Sequence, residues 1–200
     1  MRHSGFCLKR DLAIVIMTVL QYLILFYPGA ASADVAVWQI VSDKSSLVFT
    51  ATQNGAPVSG SFKTFKGDIE FSLSDLEHSR VNIVVDTGSV SASYSDLVDA
   101  LKTPDWFNVK VFPQAVFKAD RFKKTGEKTY QADGTLTIRN ITKPVVITFS
   151  VEEAGDTKAR IRGGTTIQRN DFGVGQGDWA GTDEIKNDVR IDFVLSVVRK

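Results

Sequence analysis

The sequence predicts an all-β domain, an extended antiparallel barrel of about eight strands with a short helical excursion. Three observations lead there. Through Val189-Arg190-Ile191-Asp192-Phe193-Val194-Leu195-Ser196-Val197, every second residue is apolar and three of the four between them are polar. That period of two marks a strand with one dry face and one wetter face. Similar stretches recur at hairpin spacing, and a single segment carries helical periodicity. Long hairpin order favours an up-and-down barrel, because closure removes the exposed edges of an open sheet. An immunoglobulin-like sandwich is the alternative on periodicity alone, but its usual Cys and Trp core markers are missing.

Ala36 to Val41 and Leu47 to Thr52 read as the first strands, joined by Ser42-Asp43-Lys44-Ser45. Asn54-Gly55-Ala56-Pro57 signals a turn, and Val58 to Phe62 follows, with Gly60 marking a bend or a close backbone approach. Lys66-Gly67-Asp68 opens Ile69-Glu70-Phe71, and Val81 to Val85 resumes after a polar turn around His78. Ser95 is placed to cap a short helix over Asp96 to Leu101, where Leu97 and Leu101 share a face. Pro104-Asp105-Trp106-Phe107 reads as a tight helical turn. Strands then run from Ala115 to Phe122, Tyr130 to Ile138 and Val145 to Val151, with turns at Lys124 to Glu127 and Asn140 to Lys143. Lys158 to Arg169 is expected to bulge at Gly163-Gly164, and the loop Asp171 to Asn187 leads into the last strand.

Residues 1–33 are read as a secretory signal peptide ahead of a single domain at 34–200. Arg2, Lys9 and Arg10 form a basic start, Leu12 to Phe26 is almost wholly apolar, and Ala31-Ser32-Ala33 is a small-x-small cleavage pattern. An uncleaved anchor is the alternative, but the apolar run falls short of the roughly 20 residues that span a bilayer comfortably. The expected location is periplasmic or secreted. This segment holds three of the 24 basic residues and one of the 23 acidic ones, so the remainder is close to neutral. No basic field attracts nucleic acid. The one cysteine, Cys7, belongs to the leader, so the domain would carry no disulfide.

Catalytic signals are weak. His78 is the one histidine outside the leader, and no nucleophile elbow accompanies it. One imidazole without cysteine cannot supply the usual zinc ligands, and Asp178, Asp183 and Glu184 lack the spacing of a calcium loop. Gly173-Val174-Gly175-Gln176-Gly177 lacks the strand–turn–helix setting of a phosphate loop. No catalytic residue, metal or cofactor is expected.

The phenylalanines point elsewhere. Of thirteen, only Phe6 and Phe26 fall in the leader, and many of the rest keep one strand phase. Phe49 is in phase with Leu47, Phe117 with Ala115 and Ala119, and Phe193 with Ile191. Small residues in the same phase leave space among the rings. An eight-stranded barrel can be filled by such side chains or can hold one apolar ligand.

Motifs spread over the whole domain bear on that choice. They are Val58-Ser59-Gly60-Ser61-Phe62 with Phe65-Lys66-Gly67, Asp105-Trp106-Phe107-Asn108 with Phe112-Pro113-Gln114-Ala115-Val116-Phe117, Gly134-Thr135-Leu136-Thr137-Ile138 with Thr142-Lys143-Pro144-Val145, and Arg169-Asn170-Asp171-Phe172-Gly173-Val174-Gly175. In this order and spacing the chain resembles the YceI-like family of exported lipocalin-like proteins, also called polyisoprenoid-binding. Gly175 to Trp179 resembles one branch in particular. The resemblance implies a barrel holding a long isoprenoid, quinone-like or fatty-acyl lipid, with no other cofactor. It also implies a bacterial periplasmic setting and, for some members, a link with a cytochrome b561-type membrane protein; a homodimer is compatible with it. The family often has an Arg-Asp pair near the start of the helical excursion, where this chain has Leu97-Val98 between Asp96 and Asp99.

If the phase of Val189 to Val197 faces inward, the expected ligand-binding residues are Leu47, Phe49, Phe62, Phe65, Phe117, Leu136, Ile138, Phe149, Ile191, Phe193 and Leu195. Trp106, Phe107 and Phe112 complete the ligand-binding set at a lid or entrance, with Arg169, Asp171 and Trp179 as polar mouth candidates. Each buried methylene contributes about 0.8 kcal/mol, so twenty carbons offer on the order of 15 kcal/mol before ordering costs. The alternatives are an enzyme acting on such a lipid through Arg169, Asp171 and His78, or a filled barrel serving as a stress-related interaction module.

Overall fold

The computed structural model describes residues 35–200; the leader expected at residues 1–33 lies outside the described residues. Eleven strand segments follow one another: β1 (Val37–Ile40), β2 (Ser46–Gln53), β3 (Ala56–Phe62), β4 (Phe65–Ser72), β5 (Asp75–Asp86), β6 (Val90–Ala92), β7 (Gln114–Lys124), β8 (Thr129–Ile138), β9 (Ile141–Ala154), β10 (Lys158–Gln168) and β11 (Ile185–Arg199). One helix, α1 (Ser95–Lys102), separates β6 from β7.

The segments make eight staves. β1 and β2 both pair with β11, through Ile40 opposite Val197 and Ser46 opposite Val194, so they are two halves of one interrupted strand. Ser45 bridges the break, its hydroxyl donating to the Val41 carbonyl and accepting from the Ser196 amide. β3 and β4 pair with β2 and β1 in the same way, and β6 continues β5 along β3. β7 pairs with β5 across the excursion at residues 87–113, each later strand pairs with the one before it, and the first stave closes the ring against β11. The result is the closed eight-stranded antiparallel barrel that the period of two predicts, not a sandwich.

Hairpin chemistry sets the register. Asn54 (φ 50°) and Gly55 (φ 81°) form a two-residue turn, as do Arg139 (φ 51°) and Asn140 (φ 60°). Left-handed backbone at both positions matches the twist of the flanking strands. These two turns, residues 87–113 and residues 169–184 lie at one end of the barrel, here the helix end. The turns at 73–74, 125–128 and 155–157 lie at the far end.

Five local expectations need correction. The turn expected at Asn140 to Lys143 is Arg139-Asn140, and Ile141 to Lys143 already pair with β8. The turn before β5 is Leu73-Ser74, and His78 lies inside β5, its Nδ1 2.8 Å from the Asp75 carboxylate. Ser95 is the first residue of α1, not its cap, and its hydroxyl donates to Asp96. Pro104 to Phe107 forms hydrogen-bonded turns without becoming a helix. The irregularity in β10 falls at Arg160/Ile161, not at Gly163-Gly164. Gly163 instead gives way to rings: a β-carbon there would lie 2.6 Å from both Phe149 Cβ and the Phe193 ring.

Candidate functional site

The inward face of the barrel surrounds an almost wholly apolar cavity of about 260 Å3. Val189, Ile191, Phe193 and Leu195 of β11 line it, while Arg190, Asp192 and Val194 do not. The interior phase is therefore the expected one. Phe49, Phe62, Phe117 and Phe193 are only half-buried although they face inward. Rings in a solid core would be covered; here they border open space.

Thirteen of the fourteen expected apolar ligand-binding residues stand on the cavity wall: Leu47, Phe49, Phe62 and Phe65 from the first two staves, Phe117, Leu136, Ile138 and Phe149 from β7 to β9, Ile191, Phe193 and Leu195 from β11, and Trp106 and Phe107 from the helix-end loop. Phe112 is apart from them. Its ring lies beneath the Arg139 guanidinium at 5.6 Å, and its carbonyl accepts from the Thr87 hydroxyl. Strand phase could have supplied further wall residues, such as Val81, Ile83 and Val85 of β5 or Val145 and Ile147 of β9. Phe172 and Val174 also line the wall, from a loop with no period to reveal them.

The two ends differ. At the far end, Phe71, Phe122, Tyr130 and Phe149 pack edge to face or stacked, with centroids 5.4–6.4 Å apart. At the helix end, the ring falls short between β6, which pairs only with β3, and β7, whose pairing with β5 begins at Gln114 opposite Asp86. Residues 93–113 provide wall here: Leu97 and Leu101 of α1 face the cavity, and Phe107 meets Phe62 edge-on at 5.5 Å.

Two fastenings hold this cover. Arg139 donates from Nη1 to the Pro104 and Trp106 carbonyls. The Gly175 and Gln176 amides both donate to the Asp105 carbonyl, at 2.8 and 2.7 Å. Burial pushes the Arg139 guanidinium below its ordinary value, and Asp105 opposes the shift.

Of the polar mouth candidates, Arg169 touches the wall but is 2 % exposed. Its guanidinium donates to the carbonyls of Lys186, Val174, Gly175, Gly181 and Ile185 and to the Asn170 side chain. Those bonds engage all five of its hydrogens, so this head pins the 169–184 loop to the start of β11. Burial lowers its pKa from the ordinary guanidinium value. Asp171 is exposed and off the wall. Trp179 is also off the wall, 39 % exposed, with its ring 5.9 Å from that of Trp106. The polar wall residues are Gln53, Thr165 and Arg169, all in the helix-end half.

The trio considered for catalysis is not assembled. Arg169 and Asp171 follow β10 at the helix end, whereas His78 sits beside the far-end turn, exposed and paired with Asp75. Among the described residues no group of three or more His, Cys, Asp or Glu is placed to hold a metal ion.

Residues 38–197 match the YceI-like domain family. Curated relatives include the UPF0312 proteins of Pseudomonas syringae pv. tomato and Pseudomonas putida strain W619. The first is 33% identical over 122 residues, covering 58% of this chain and 64% of that protein. The second is 30% identical over 142 residues, covering 68% and 73%. The chain thus spans a little under two thirds of the first relative's length. Among solved structures, BcnA of Burkholderia cenocepacia superposes with a TM-score of 0.75 at 27% identity, over 78% of this chain and 98% of BcnA. A polyisoprenoid binding domain from Saccharophagus degradans superposes with a TM-score of 0.65 at 12% identity, over 82% and 99%. The second likeness is one of fold alone.

Proposed function

The chain belongs to the YceI-like family, and from that premise we propose that it is an exported, non-catalytic binding protein that holds one long apolar lipid tail in its bore. The single observation that carries this reading is the open apolar cavity running between a ring-packed far end and a covered helix end. Water in such a bore finds almost no hydrogen-bond partner, so a hydrocarbon tail that displaces it gains burial free energy along its whole length. Tail length would dominate affinity and head chemistry would count for less.

An isoprenoid, a quinone-like molecule and a fatty-acyl lipid share that chemistry. The likeness to the polyisoprenoid binding domain of Saccharophagus degradans supports the first of these. The basic start, apolar run and Ala31-Ser32-Ala33 support export with cleavage before Asp34. A periplasmic site of action, a cytochrome b561-type membrane protein as donor or acceptor, and a homodimer belong to the same proposal.

Native mass spectrometry of the gently purified full chain, followed by organic extraction, tests the reading. A carrier arrives with one lipid per barrel and takes it up again after stripping. A protein that arrives empty and takes up no added lipid overturns it. The mass of the exported form tests the leader, since cleavage leaves Asp34 as the first residue.

A further inference from the structure

Resting on the reading of the bore as a tail site, we propose that the bore is a blind tube entered tail-first, in which Phe71, Phe122, Tyr130 and Phe149 form a stop that limits tail length. Four strands, β4, β7, β8 and β9, each contribute one ring. The Phe71 centroid lies 5.4 Å from that of Phe122, 5.9 Å from that of Phe149 and 6.3 Å from that of Tyr130. Tyr130 in turn stacks on Phe149 at 5.6 Å. Phe71, Phe122 and Phe149 face the cavity, while Tyr130, 4 % exposed and off the cavity wall, backs them.

Rings packed this way cannot swing aside singly, because each rotation drives one ring into another. Phe149 reaches its place only because Gly163 opposite has no β-carbon. The polarity of the wall supplies the direction. Gln53, Thr165 and Arg169 lie in the helix-end half and no polar residue borders the stop, so a polar head belongs at the helix end and the tail's tip at the rings.

The test uses the full chain, stripped of lipid, and linear primary alcohols of eight to twenty-four carbons displacing a bound fluorescent apolar dye. Affinity should rise about fourfold per added methylene and then break to a plateau or a fall at the length where the tip meets the rings. Phe149→Leu should move that break by about one carbon and Phe149→Ala by about three or four, in proportion to the volume removed. Should the alanine variant fail to fold, Phe149→Leu and Phe122→Leu carry the test. Phe49→Leu, in the middle of the bore, should weaken every length alike and leave the break where it was. A series without a break, or a break that stays put in every floor variant, overturns the stop while leaving tail binding intact. If no alcohol of any length displaces the dye, tail binding falls and the stop with it.

Discussion

Nη1 of Arg169 fills the space that a β-carbon on Gly175 would need. Gly175 also has φ 83°, a left-handed backbone that side chains rarely adopt. Gly175→Ala therefore meets both a steric and a conformational penalty, and it should destabilise the fold by about 2–3 kcal/mol. Gly181 is the internal control: a β-carbon there meets nothing within 4 Å. Gly181→Ala should stay within about 0.5 kcal/mol of the parent. Urea midpoints of the two variants check the pair, and equal midpoints would refute the packing argument.

Arg169→Lys removes the fork that serves several carbonyls at once. An ammonium has three donors and no planar spread, so at least one of the Val174, Gly181 and Ile185 carbonyls is left unpaired in a dry site. Each such loss costs about 1–3 kcal/mol. The variant should be less stable by about 2–4 kcal/mol, and the Gly175 and Gln176 amides, which bond the Asp105 carbonyl, should lose hydrogen-exchange protection first. Unchanged protection at those two amides would show that Arg169 does not hold the loop.

The inward phase of Ile191, Phe193 and Leu195 was legible in the sequence because a period of two is a local property that closure of the barrel does not alter. The loops were legible in composition only. Residues 169–184 have no period, and their course depends on one arginine reaching six oxygens, a relation that spacing does not encode. Phe112 escaped the phase rule because it stands in a turn, where it meets Arg139 instead of the bore. The polar run from Asp75 to Arg80 looks like a turn, yet it is strand. It lies at the barrel's far end, where the buried Ser79 hydroxyl donates to the Asp75 carbonyl and accepts from the Ser72 amide.

Two surface carboxylates predict the acid limb of stability. A hydrogen bond from His78 holds the Asp75 carboxyl below its ordinary value of 3.8, and one from Arg162, with Arg160 adding, holds Glu152 below 4.5. A depressed folded-state value contributes stability that is complete above the unfolded value and is lost as pH falls through the folded one. Stability should thus stay level from pH 7 down to about 5 and decline below the ordinary carboxylate range. Asp75→Asn combined with Glu152→Gln should flatten part of that decline and cost little at pH 7, since both pairs are solvated. Urea unfolding of parent and double variant at pH 7 and pH 3 checks it; an identical acid loss would refute it.

Arg139 holds the cover at the helix end while its own backbone sits at φ 51°. Arg139→Gly would relax that backbone and remove the latch, whereas Arg139→Ala would remove the latch and keep the strain. Both should release a bound apolar dye faster than the parent, by about tenfold for the loss of roughly 1–2 kcal/mol of hydrogen bonding. Only Arg139→Ala should also be less stable than Arg139→Gly. Stopped-flow release compared with thermal midpoints separates the two effects, and parental release rates in both variants would leave Arg139 without a latching role.

Phe193 and Val194 are adjacent in β11, yet only Phe193 faces the cavity. Phe193 lies opposite Gly163 on one side and Leu47 on the other, and the tip of its ring fills the space that a β-carbon on Gly163 would need. A carboxylate there would stand in an almost wholly apolar space with no cation in reach, a burial that costs several kcal/mol unless the group takes up a proton. Phe193→Asp should therefore abolish dye binding or prevent folding at neutral pH. Val194 pairs with Ser46 and Arg162 on the outward phase, where a charge keeps its water and has a guanidinium nearby. Val194→Asp should fold and bind as the parent does, within about 0.5–1 kcal/mol. Circular dichroism and dye titration of both variants decide the point: a harmless Phe193→Asp beside a damaging Val194→Asp would mean that the barrel is turned inside out relative to the arrangement described.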